Sequence, residues 1–175
     1  AAAFGGLNHI RFNSDESVFV NPVVLKKEVK EKLNRNLMMF YTNLNSRSDS
    51  ILTEQKSKTK DNLHILDKMV ELAEALEKAL QNNDLTEFGN ILDQGWTLKQ
   101  KLASNVTNGT INSYYEKARK FGALGGKLLG SGGGGFLLLY CEEKNQQKVR
   151  EALSNLKEMD FKFEPEGSKI IYVGD

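Results

Sequence analysis

The chain has 175 residues, of which 39% are hydrophobic and 27% charged, a composition that suits a folded domain with a real core. Lysine and arginine total 24 against 23 acidic residues, so no net field favours nucleic acid or an anionic membrane surface, and neither is expected as a partner. The apolar runs are too short to span a bilayer, and the lone Cys141 cannot form an internal disulfide, so a cytoplasmic protein without a metal centre is expected.

The opening, Ala1 to Gly6, is apolar and lacks Met, which reads as a cut through a longer protein. Residues 7–12 and 17–20 are short β-prone runs around the polar Asn13 to Glu16, a hairpin pattern. Asn21-Pro22 offers a cap and a first helical proline, so a short helix is expected from there through Lys32. Leu37 to Tyr41 (LMMFY) is a continuous apolar run of strand length, expected to be covered on both faces.

From Ser50 to Phe121 the period is helical. Leu63, Leu66, Val70, Ala73, Leu76 and Leu80 mark one face, and Asp84 with Glu87 three residues on forms a capping-box pattern for a second helix. The second carries Leu85, Phe88, Leu92 and Trp96, the tryptophan read as core. A third runs from about Thr110 to Phe121 and stops at Gly122. Strands over 124–129 and 136–140, a helix over 145–156, and a closing strand or hairpin over 161–163 and 170–173 complete the chain. This order predicts an α+β fold: a ferredoxin-like, split βαβ antiparallel sheet with an antiparallel helical bundle inserted over 50–121.

Eight of the 15 glycines lie between Gly122 and Cys141, in GALGGKLLGSGGGGFLLLYC. Glycine loses the most backbone entropy on folding, so this run is a costly connection where a two-residue turn would serve. Gly130, Gly132 and Gly135 satisfy the dinucleotide spacing, but a strand follows instead of the required helix. Gly126-Lys127 is followed by Leu128 instead of the Ser or Thr of a Walker loop. From local pattern, a cup of backbone amides for an anion and a flexible hairpin loop remain equal alternatives. His9 and His64 are expected in ordinary structural roles, and the sequons at Asn105 and Asn108 are read as chance.

The segment from Gly122 through Phe136 resembles the third motif of the GHMP small-molecule kinases, with Ser131 where many members have alanine. Ala1 to Asn8, Phe40-Tyr41-Thr42 followed by Arg47, and Gly95-Trp96-Thr97-Leu98-Lys99 are similar to the branch that phosphorylates sugars, heptose 7-phosphate kinases above all, with fucokinases related. The resemblance implies the C-terminal half of a kinase that transfers the ATP γ-phosphoryl group to a sugar or sugar-phosphate hydroxyl. ATP and Mg²⁺ would be held mainly by an N-terminal domain carrying the ATP loop and the catalytic Asp ahead of Ala1, so this portion alone is expected to be inactive. Residues 1–36 are expected to continue from that domain, and 37–175 to form the family's C-terminal domain.

On this reading the amides of Gly130, Ser131, Gly132, Gly133 and Gly134 face phosphates or the neighbouring ATP loop, on a stretch expected to be exposed and mobile. Arg47, Lys99, Lys127 and Arg11 are the candidates for the acceptor side, and no residue of this portion is catalytic or a metal ligand. The competing class is a non-catalytic ferredoxin-like module that binds a small effector or another chain.

Overall fold

The computed structural model describes residues 2–45 and 48–172. Two strands, β1 (Asn8–Phe12) and β2 (Val18–Pro22), form a separate antiparallel hairpin. The main sheet contains β3 (Leu37–Tyr41), β4 (Ala123–Leu128), β5 (Phe136–Cys141) and β6 (Lys157–Glu158) in the order β4-β5-β3-β6, with every neighbouring pair antiparallel. Six helices accompany them: α1 (Lys27–Asn36), α2 (Ser48–Ser57), α3 (Leu63–Gln81), α4 (Leu85–Lys99), α5 (Gly109–Lys120) and α6 (Glu143–Ala152). The fold is therefore α+β with an antiparallel sheet. No described helix is long and apolar enough to cross a membrane.

The sheet carries core on both sides. Met38 and Phe40 of β3, Leu128 of β4, and Leu137, Leu139 and Cys141 of β5 meet Trp96, Ile111, Tyr115, Val149 and Leu153 in the larger cluster. Tyr140 turns the other way, into a smaller cluster with Leu33, Leu80, Leu85 and Phe88. Its hydroxyl accepts a 2.8 Å hydrogen bond from Asn36 Nδ2, which satisfies an amide that is only 2% exposed. Coverage of β3 is unequal: Met38 and Phe40 are buried while Leu37, Met39 and Tyr41 are half-buried, so only one face is fully packed.

Three expectations need correction. Asn21-Pro22 does not start a helix; both residues extend β2, pairing with His9 and Asn8, because a proline at a strand end forfeits no ladder bond. The helix starts at Lys27 and buries Leu33. Asp84 accepts a hydrogen bond from the Glu87 amide at 2.9 Å, but the Glu87 carboxylate is engaged by Asn90, so only half of the capping box forms. Residues 161–163 and 170–172 join no strand, and Val173 lies outside the described residues. After β6, Met159 donates one further bond to Met39. The chain then leaves the sheet, because the Phe163 amide is taken by the side chain of Asn34, and Glu164 and Ser168 bond instead to Gly6 and Ala3.

Helix α2 is an addition to the three helices expected. Its single buried apolar residue, Ile51, leaves too faint a stripe to announce it. Beside Ile51, which joins the larger core cluster, polar bonds hold α2: Glu54 Oε1 accepts from the Ser104 amide (3.0 Å) and hydroxyl (2.5 Å), and locally from Lys58 Nζ (2.6 Å). The bonds from Lys58 and Ser104 hold the Glu54 carboxyl at about 2, well below its ordinary 4.5. A depressed carboxylate stabilises the fold above its unfolded value and loses that contribution as the pH falls through its folded value. The stability gap between wild type and Glu54→Gln, read as urea midpoints, is therefore expected to close as the pH is lowered from above 4.5 towards 2. A gap that stays constant over that interval would show that these bonds do not favour the ionised form.

Candidate functional site

The glycine loop, residues 129–135, joins β4 to β5 at one end of the sheet. Leu129 donates to Phe136 O across its base at 2.8 Å. Three neighbouring segments then hold it. The exit of β3 takes one side: the Thr42 amide and hydroxyl both donate to Gly135 O (2.9 and 2.7 Å), and the Gly135 amide donates to Leu44 O (3.0 Å). The approach to α5 takes the other, with the Gly133 amide on Val106 O at 2.9 Å and Asn108 Nδ2 on Gly133 O at 3.3 Å. The end of α4 closes the circuit through Lys99 Nζ, which donates to Gly130 O at 2.6 Å.

These anchors correct the expectation of an exposed loop. Gly132 is buried, Ser131, Gly133, Gly134 and Gly135 are half-buried, and only Gly130 is exposed. The backbone shows why glycine is required here. Gly132 sits at φ 122°, where a Cβ would also come within 2.7 Å of Val106 O, and a Cβ on Gly134 would lie 2.2 Å from Leu44 O. Close approach of other backbone, more than turning, sets the composition.

The anchors also divide the amides into two groups. Those of Gly133 and Gly135 are committed to carbonyls of neighbouring segments. Those of Gly130, Ser131 and Gly134 make no hydrogen bond among the described residues, and neither does the Ser131 hydroxyl. Three amides and a hydroxyl on one short, pinned loop match the donor chemistry that phosphate oxygens require. The described residues contain no grouping of three or more His, Cys, Asp or Glu side chains that could hold a metal.

Gly125 and Gly126 serve a different end. A Cβ on Gly125 would lie 2.0 Å from the carbonyl oxygen of Gly89 in α4, so strand and helix touch backbone to backbone. A Cβ on Gly126 would lie 2.3 Å from Leu138 O of β5. The contact between α4 and β4 is fastened by Asp93, which accepts from the Tyr115 hydroxyl at 2.6 Å and from Arg119 at 3.3 Å while Arg119 also donates to Ala123 O. Burial, and then the bond to Asp93, push the Tyr115 hydroxyl far above its usual range, so it stays a donor. This close packing brings the last residue of α4, Lys99, to the loop.

Among the basic candidates, Lys99 and Lys127 are brought together, both lining one cleft between α3 and α4. Neither forms an ion pair among the described residues. Burial, with Lys127 adding a smaller effect, lowers the pKa of Lys99. Arg11 stands elsewhere, on the β1–β2 hairpin, 3.7 Å from Glu74 of α3. Arg47 lies outside the described residues. His9 shares a 2.5 Å contact with Glu77 that ties the same hairpin to α3, and His64 is exposed at the start of α3.

Sequence reasoning missed Asn108. It caps α5 by accepting from the Ile111 amide at 3.0 Å and reaches Gly133 with its other end. An Asn three residues before the first apolar position of a helix was the available signal.

Residues 76–158 match the model of the family described as GHMP kinases C terminal. Over 173 residues the chain is 28% identical to the D-glycero-alpha-D-manno-heptose 7-phosphate kinase of Campylobacter jejuni, covering 97% of this chain and 51% of that protein. Over 148 residues it is 28% identical to the bifunctional fucokinase/GDP-fucose pyrophosphorylase of Arabidopsis thaliana, covering 82% of this chain and 14% of that one. Among solved structures, a D-glycero-D-manno-heptose 1-phosphate kinase from Bacteroides thetaiotaomicron is similar with a TM-score of 0.66 and 26% identity, over 98% of this chain and 47% of its own. The chain thus spans about half the length of the heptose phosphate kinases it matches.

Proposed function

We propose that this chain, whose residues 76–158 match the GHMP kinase C-terminal model, supplies one half of an ATP-dependent sugar kinase whose acceptor is a sugar phosphate, heptose 7-phosphate before the others. The observation that carries the reading is the likeness to a heptose 7-phosphate kinase along 97% of the chain, the glycine loop included. The strand order β4-β5-β3-β6, with α2 to α5 between β3 and β4 and α6 between β5 and β6, supports a ferredoxin-like core with an inserted helical bundle. On this proposal residues 1–36 continue a preceding domain and 37–175 form the C-terminal domain.

ATP with Mg²⁺, held mainly by the other half, supplies the phosphoryl group and offsets its charge when bound. This chain contributes a wall. The amides of Gly130, Ser131 and Gly134, with the Ser131 hydroxyl, donate to phosphate oxygens, and the hydrogen bonds through Thr42, Leu44 and Val106 fix those donors beforehand. Preset donors need no reorganisation as charge shifts, which is what makes them effective in phosphoryl transfer. Lys99 holds the loop entrance through Gly130 O, and Lys127 adds a second positive charge beside it.

The test is a panel of acceptors offered to the intact protein with Mg-ATP: heptose 7-phosphate, fucose, galactose and mevalonate. The highest kcat/KM is expected for heptose 7-phosphate. A higher value for any of the other three would reassign the acceptor.

A further inference from the structure

The cleft between α3 and α4 encloses about 150 Å³. Its walls are apolar, with Leu72 and Leu76 from α3 and Leu92 and Trp96 from α4 among them, and Lys99 and Lys127 stand at the end where α4 finishes. Trp96 is 1% exposed, and its indole N–H is a buried donor with no partner among the described residues. Two ammonium groups lining one small cleft repel each other, and no carboxylate pairs with either among the described residues. An ammonium has three donors, so Lys99 can keep Gly130 O and still serve a second acceptor.

A sugar phosphate does not suit this cleft, because leucine walls would leave its hydroxyls without partners. A ligand with an anionic head and a short apolar body meets both halves of the surface: the head pairs the two lysines, and the body covers the leucines. We propose that the α3–α4 cleft is a second ligand site, adjoining the glycine loop at Lys99, that binds an alkyl phosphate-like amphiphile through Lys99 and Lys127.

The experiment is isothermal titration of the intact protein, without nucleotide or sugar, using hexyl phosphate, inorganic phosphate and hexanol as three probes. Hexyl phosphate is expected to bind saturably, at least tenfold tighter than either of the others. Lys127→Met, which removes one charge, and Ala73→Phe, which fills the cleft from an exposed position, are each expected to weaken it at least tenfold. Circular dichroism verifies the fold of both variants, and Ala73→Phe decides the matter if Lys127→Met does not fold. No saturable binding of hexyl phosphate, equal affinity for inorganic phosphate, or wild-type affinity in folded Ala73→Phe would each overturn the proposal. The readout is binding alone, so its failure leaves the kinase reading untouched, and loss of turnover leaves this site standing.

Discussion

Gly125→Ala is expected to lower the stability of this protein by roughly 3 kcal/mol, at the upper end of what overpacking a core costs. The new methyl group would sit 2.0 Å from the carbonyl oxygen of Gly89 and 2.8 Å from the amide nitrogen of Asp93. Both obstacles are helix backbone, which cannot rotate away as a side chain could. To admit the methyl group, α4 would have to lift off β4 and strain the bonds that Asp93 makes to Tyr115 and Arg119. Gly95 is the natural control. It lies in the same helix with nothing within 4 Å of its virtual Cβ, so Gly95→Ala is expected to stabilise by about 0.5–1 kcal/mol through helix propensity alone. Urea midpoints for the pair give the comparison, and a Gly125→Ala midpoint equal to wild type would mean that the backbone contact does not govern the packing of α4.

If the proposed phosphoryl transfer holds, Gly134→Ala is expected to reduce kcat of the intact protein about 100-fold, the penalty that follows when reacting groups are misplaced by an ångström or so. Its Cβ would come within 2.2 Å of Leu44 O and 2.7 Å of the Leu44 carbonyl carbon. The loop must then move away from the β3 exit, which breaks the Gly135-to-Leu44 bond and loosens the two that Thr42 makes to Gly135 O. Gly134 has no positive φ, so the effect is one of space and not of backbone strain. Steady-state kinetics with the variant shown to be folded would check it. Wild-type kcat would mean that the position of this loop is irrelevant to turnover.

Much of the fold was legible because long apolar periodicities leave few alternatives. LMMFY forms β3 with the boundaries its composition suggests, FLLLYC forms β5, and the stripe from Leu63 to Leu80 forms α3. Misreadings arose where a local signal served another element. Asn21-Pro22 has the chemistry of a helix start, yet its pairing with β1 decides its conformation, which is long-range information. The C-terminal residues Ile170 and Ile171 have strand-like composition, but they are 84% and 94% exposed and join no sheet edge. Helix α2 is attached by a carboxylate to a serine fifty residues away, a contact that no periodicity announces.

At the site, the glycine loop was visible from composition, while the parts that hold it were not. Two of its three anchors use the carbonyl oxygens of Leu44 and Val106, and every residue type carries a carbonyl oxygen. The division of the motif into packing glycines (Gly125, Gly126) and loop glycines (Gly130 to Gly135) likewise depends on what faces each Cβ position, which is set by α4, β5 and the β3 exit. Lys99 looked like any lysine at a helix end until the packing of α4 on β4 carried it to Gly130.

The central claim is that this pinned glycine loop forms one wall of a site where a phosphoryl group passes from ATP to a sugar phosphate. The most direct measurement is phosphorus NMR of heptose 7-phosphate incubated with the intact protein, ATP and Mg²⁺. The account predicts a second phosphate ester on the heptose, formed with one equivalent of ADP and absent when ATP is withheld. No new ester on heptose 7-phosphate, and none on fucose, galactose or mevalonate under the same conditions, would contradict it.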